Sequence, residues 1–145
     1  MMLAGYGRRL GQMFSDNLIV LIPAAIVVAI FDQIGNSFLG GLAGYVVTAG
    51  YLFKCFTTKG GQSLGNRVAA TRVRDASSGA MLGTNQAMIR TLIVMCYFFS
   101  DFYSLPIAAQ LPVLVVGVVD NAFPLFDKRK QTLHDKLAHT IVVIA

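Results

Sequence analysis

A chain of 145 residues that is 55% hydrophobic and only 13% charged has too little polar surface to close on itself in water, where about a quarter of residues are charged. Its mean hydropathy is +0.63, and the apolar residues are gathered into long blocks, the pattern of a chain whose solvent is lipid. The length allows one domain, residues 1–145, and the net charge of +5 indicates nucleic acid only if topology fails to explain it.

The first block, residues 13–31, contains LIVLIPAAIVVAIF and follows Arg8 and Arg9. A basic start before an apolar run also describes a secretory signal. No small-x-small cleavage site follows Phe31, however, and Asp16 falls inside the run, so the block reads as an uncleaved span. The second block, residues 38–56, sets Gly40, Gly44 and Thr48 four apart. One face of that helix is almost bare backbone, suited to close approach by another helix. A polar, glycine-punctuated loop, residues 57–86, leads to a third block, 87–104, with Arg90 near its start. The fourth, 107–126, carries Gln110, Asp120 and Asn121. Each block is about 18 to 20 residues, enough to cross the hydrocarbon layer. The tail, 127–145, is basic and then briefly apolar, too short to cross.

Four spans put both termini and the central loop on one side. All twelve cations lie there or at its edges: Arg8 and Arg9; Lys54, Lys59, Arg67, Arg72, Arg74 and Arg90; Lys128, Arg129, Lys130 and Lys136. The two opposite loops have none, so that side is cytoplasmic. Topology thus accounts for the charge without nucleic acid, and the expected partners of the cations are anionic lipid headgroups.

Three stretches, RRLGQMFSD, GGQSLGNRVAATRVRDASSG and TLHDKLAHTIVV, resemble in sequence and order the RDD family, small bacterial membrane proteins named for one arginine and two aspartates. The resemblance implies a multi-pass protein of the bacterial cytoplasmic membrane. It makes Arg9 the family arginine and Asp16 the first aspartate; Asp135 is the choice for the second, with Asp120 as competitor. It also implies the family's usual labels, transport of unknown ligands and, for some members, cation/proton antiport.

After the Gly60-Gly61 break, residues 63–70 suit a short helix with Leu64 and Val68 on one face. Residues 70–75 and 140–144 are the strand-like runs on the cytoplasmic side and are expected to pair as a ribbon, the alternative being two disordered segments, since isolated two-strand ribbons are marginal. The fold expected is therefore an all-α membrane bundle of four transmembrane helices under a small structured cap.

Arg9 and Asp16 lie seven residues apart, about 10.5 Å along one helix face. A carboxylate within a span needs a partner, water or a proton, and Arg9 or Arg90 is the expected partner of Asp16. Asp120 sits at similar depth, with Asn121 and Gln110 forming a polar stripe. In one reading Asp16 and Asp120 line a cytoplasm-open pocket for a proton or small cation, with Arg90 tuning them. In the other, the charges are structural glue between helices. Pro23, Pro112 and Pro124 lie in or near spans, where kinks are widely tolerated.

Gly60 to Gly65 has the glycine spacing of a phosphate loop, but Asn66-Arg67 replaces its Lys-Ser/Thr. His134 and His139 have no third ligand nearby and read as interfacial residues rather than a metal or haem site. Cys55 and Cys96 lie in apolar blocks and read as packing residues. No nucleophile-and-base arrangement emerges, so neither catalysis nor a cofactor is expected. Two function classes remain: a small cation or proton transporter, as a homo-oligomer, or a non-catalytic subunit of a larger membrane complex docking through the Gly40/Gly44 face and the basic cap.

Overall fold

A computed structural model describes residues 1–58, 60–102 and 106–145. Lys59 of the expected loop, and Tyr103 and Ser104 at the end of the expected third span, lie outside them. Along the described chain come α1 (Tyr6–Gln33), α2 (Ser37–Thr58), α3 (Leu64–Val68), β1 (Thr71–Asp75), α4 (Thr84–Phe102) and α5 (Ile107–Ala122). A 3-10 turn (Phe123–Leu125), α6 (Leu133–Leu137) and β2 (Thr140–Ile144) complete it. The chain is mostly helical with a small two-stranded sheet.

α1 and α2 are each long and apolar enough to cross a bilayer. α1 begins at Tyr6 rather than at Met13, because its polar first turns are helical too. Its 28 residues extend about 42 Å, longer than a hydrocarbon core of about 30 Å, and the surplus carries Arg8 and Arg9. Leu18, Leu21, Ile22, Ile26 and Ile30 on α1, Val46 and Val47 on α2, and Leu114, Val115 and Val118 on α5 are all exposed. So much outward aliphatic surface belongs against lipid rather than water.

The turn between α1 and α2 closes through Gly35, at φ +71°, whose N–H bonds to Asp32 O at 3.0 Å; Asn36 Oδ1 then accepts from Leu39 N at 3.2 Å, capping α2. The small-residue face of α2 turns inward: Gly40, Gly44 and Thr48 are buried. A Cβ on Gly40 would lie 2.9 Å from Phe31 Cβ and 3.2 Å from Val28 O. At Gly40 the close approach expected from the spacing is thus made to α1 of the same chain.

The cap is a sheet with a supported edge. β1 and β2 pair antiparallel from Thr71↔Ile144 to Asp75↔Thr140. On the other side of β2, Ala4 N bonds to Val142 O and Ile144 N to Met2 O, each at 3.0 Å, with a bridge from Leu3 to Val143. Val73 and Val142 bury themselves with Ala4, Leu52, Phe56, Leu82, Ala87 and Met95. The core therefore joins cap and helices, and supplies the packing that a free ribbon lacks.

The cap also repeats itself. Residues 62–73 read QSLGNRVAATRV and residues 131–142 read QTLHDKLAHTIV. In the first copy Ser63 Oγ accepts from Asn66 N at 3.1 Å, Thr71 Oγ1 donates to Asn66 Oδ1 at 2.8 Å, and Gln62 Nε2 donates to Thr71 O at 2.9 Å. In the second, Thr132 Oγ1 accepts from Asp135 N at 3.1 Å, Thr140 Oγ1 donates to Asp135 Oδ1 at 3.2 Å, and Gln131 Nε2 donates to Thr140 O at 2.7 Å. Ala70 and His139 make the same left-handed exit, at φ 50° and 53°. One cap–helix–strand unit is used twice.

Candidate functional site

Each short helix meets a carboxylate from a long one. The first turn of α3 donates to Asp16 on α1: Gly65 N lies 2.8 Å from Oδ1 and Ser63 Oγ 2.6 Å from Oδ2. A Cβ on Gly65 would overlap Gln12 O and the Asp16 carboxyl, so glycine is required for the approach. The first turn of α6 meets Asp120 on α5 in the same manner, His134 N 2.9 Å from Oδ1 and His134 Nδ1 2.6 Å from Oδ2. Helix N-termini stabilise negative charge, and side-chain donors add to the backbone ones.

The two copies differ where charge is concentrated. The site that is Asn66 in the first copy is Asp135 in the second, fully buried. Arg9 Nη1 donates to Asp135 Oδ2 at 2.6 Å, and Arg90 Nη1 donates to Oδ1 and, at 2.8 Å, to Thr140 Oγ1. Burial alone favours the neutral acid, but Arg90, His134 and Arg9 outweigh it and hold the Asp135 carboxyl well below the usual range. The Arg90 guanidinium also lies over the Phe56 ring, 5.2 Å from its centroid.

Above this cluster a cavity of about 260 Å³ opens, walled by Arg9 and Asp16 of α1, Thr48 of α2, Arg90 of α4, and Asp120 and Asn121 of α5. Arg9, Asp16, Arg90 and Asp120 are thus brought around one space, with Asp135 behind the two arginines. Gly40 serves the helix interface instead, and Gly44 is buried. Arg9 or Arg90 was the expected partner of Asp16; among the described hydrogen bonds its carboxyl instead accepts from Ser63 and Gly65, while Arg9 and Arg90 each donate Nη1 to Asp135. His134, expected as an interfacial residue, is the partner of Asp120. The signal for it lay in the repeat, which places His134 where the first copy has Gly65.

Outward aliphatic helices, an inward polar cavity and a cap holding buried ion pairs define a helical membrane protein. The sequence profile described as the RDD family matches residues 3–139, nearly the whole chain, and the chain belongs to that family. No curated protein and no solved structure matches it.

Proposed function

We propose that this protein is a multi-pass transporter of protons or small cations in the bacterial cytoplasmic membrane, working as a homo-oligomer. The observation that carries the reading is the cavity shared by Asp16 and Asp120. Arg9 and Arg90 bring two positive charges to it and Asp16, Asp120 and Asp135 three negative ones. One more carboxylate than guanidinium leaves Asp16 and Asp120 at the cavity wall for one small cation to offset. A buried site that can take one positive charge or release it is what a cation pathway requires.

Four crossings fit this reading. Residues 2–4, β1 and β2 are hydrogen-bonded together, which supports placing the N-terminus, central loop and tail on one face. α1 with α2 and α4 with α5 then form two hairpins of one RDD domain. The positive-inside rule makes the shared face cytoplasmic. Arg67 and Val68 in one copy, and Lys136 and Leu137 in the other, are all exposed, a pairing suited to anionic headgroups. The accessory-subunit reading loses support on α2, since Gly40 already packs against α1.

Flux in proteoliposomes tests the proposal under imposed Na+, K+ and proton gradients. Folded wild-type protein should carry one of them, and Asp16→Asn and Asp120→Asn should abolish it; flux equal to empty liposomes in every gradient refutes it.

A further inference from the structure

We infer that the cavity opens sideways to lipid between α1 and α5 and binds an amphipathic organic cation, an alkylammonium whose nitrogen meets Asp16 and whose chain lies along apolar walls. The inference names the ligand class of the cavity proposed above and rests on that reading of it as a binding site. α1 packs on α2, α2 on α4 and α4 on α5, while α1 and α5 share no packing of comparable extent among the described residues. Both nevertheless wall the cavity, and Thr132, His134 and Val142 line its cap end. A gap is therefore left between α1 and α5. At its edge, nothing lies within 4 Å of where a Cβ on Gly117 of α5 would stand. Asn17 of α1, also on the wall, is exposed beside the exposed Leu18 and Leu21. Eight residues past Arg9, about 12 Å along the helix, it stands at lipid depth.

The wall selects a cation by what is already paired. Arg9 and Arg90 each give Nη1 to Asp135 and are buried, as is Asp120 against His134. Asp16 is only part-buried, and no Lys, Arg or His stands within ion-pair distance of it among the described residues. Gly65 N donates to its Oδ1. Ser63 Oγ already accepts from Asn66 N and Nδ2, so its own proton is what it gives to Oδ2. Hydrogen bonds to both oxygens favour the ionised carboxyl, and a proton on His134 would answer Asp120 rather than Asp16. Asn17 makes no hydrogen bond among the described residues, a costly state for an amide in a span. Asn121 gives Nδ2 to Gly117 O at 2.8 Å and keeps Oδ1 as an acceptor. An ammonium brings three N–H donors and no acceptor, which suits oxygens on Asp16, Asn17 and Asn121. Met13, Val20 and Val94, half-buried on the same wall, suit an alkyl chain rather than a hydrated metal ion.

Calorimetric titration of the full chain in phosphatidylcholine nanodiscs at pH 8 tests this with hexylammonium, methylammonium and hexanol, empty nanodiscs giving the partitioning background. Hexylammonium should bind saturably, about tenfold or more tighter than methylammonium, the weight of about two buried methylenes, and hexanol should not match it. Asp16→Asn should weaken hexylammonium binding about tenfold, the weight of one charge-assisted hydrogen bond. Asn17→Leu breaks no hydrogen bond of the protein, should weaken binding as well, and serves if Asp16→Asn fails to fold. Absence of saturable hexylammonium binding, equal binding of hexanol, or unchanged affinity in these variants overturns the inference. So does efficient disulfide formation between two copies carrying Asn17→Cys in native membranes, with Cys55 and Cys96 replaced, because a second copy would then cover the mouth. Na+, K+ or proton flux without hexylammonium binding would remove this inference and leave transport standing; binding without flux would do the reverse.

Discussion

Val73 and Val142 face each other in the antiparallel ladder and are also equivalent positions of the repeated stretch. Antiparallel pairing keeps the sum of two residue numbers constant, whereas a repeat keeps their difference constant. One pair alone satisfies both, so a local two-fold axis of the cap passes between these two valines. α3–β1 and α6–β2 are then two copies of one device, related by an axis, that hold carboxylates of α1 and α5. Their divergence, Gly65-Asn66 against His134-Asp135, puts the charged chemistry on one copy.

Replacing Asp135 tests that asymmetry. Asp135→Asn keeps the shape that the first copy already accommodates with Asn66, and removes only charge, leaving two buried guanidinium groups uncompensated. Loss of one partner of a buried ion pair costs about 3–5 kcal/mol, so thermal unfolding in detergent should shift strongly downward. Asn66→Asp should also destabilise, because a carboxylate there gains neither Arg9 nor Arg90. A neutral Asp135→Asn would show that the pairs contribute nothing net.

Acid should act through the same group. The folded-state pKa of Asp135 is depressed, so its stabilisation is fully present above the unfolded value near 3.9 and is lost as pH falls through the folded one. Asp75 behaves alike: Ser77, Ser78 and Gln86 all donate to its carboxyl and hold it low. Neither group should make unfolding pH-dependent between pH 5 and 9, about a unit or more above the unfolded value. A slope across that window that disappears in Asp135→Asn would contradict the assignment.

Much of this was legible beforehand. The helices, the short helix after Gly60-Gly61 and the pairing of residues 70–75 with 140–144 follow from periodicity and turn residues, and α1, α2, α4 and α5 lie close to the four apolar blocks. The meeting of Asp16 and Asp120 at one cavity was readable from their depths. Their partners were not: Asp135, polar in a short tail motif, gave no sign of being fully buried. The repeat was visible in QSLGNRVAATRV and QTLHDKLAHTIV, but its meaning depends on paired hydrogen bonds that sequence spacing does not display.

Glycines separate close approach from mere composition. Gly65→Ala drives a methyl group into Gln12 O and the Asp16 carboxyl, and overpacking of this kind costs about 1–3 kcal/mol. Gly50, on α2, has nothing within 4 Å of the corresponding position, so Gly50→Ala should leave unfolding unchanged or raise it slightly, as alanine favours the helix. Thermal melts of the two variants check the contrast; equal melts would mean that α3 does not seat on α1 as described.

Topology is open to direct chemical labelling. With Cys55 and Cys96 replaced, Gln33→Cys and Ser77→Cys place single thiols at exposed positions beyond opposite ends of α2. An impermeant maleimide added to intact cells should modify the thiol at position 33, and the thiol at 77 only after lysis. Labelling of both from outside would break the cytoplasmic assignment of the cap.

His134 and Asp120 should be energetically coupled. His134 supplies both a backbone and a ring nitrogen to a carboxylate that is itself fully buried, so His134→Ala removes the ring bond and keeps the backbone one. Asp120→Asn removes the charge that needs the ring. The double variant should therefore be less destabilised than the sum of the singles, by about 0.5–3 kcal/mol for residues in one hydrogen-bonded pair. Unfolding free energies of the four proteins in one detergent provide the cycle. Additive effects would make the histidine a bystander and return Asp120 to the helix bundle alone; coupling makes the α6 cap the device that holds the second carboxylate at the cavity wall.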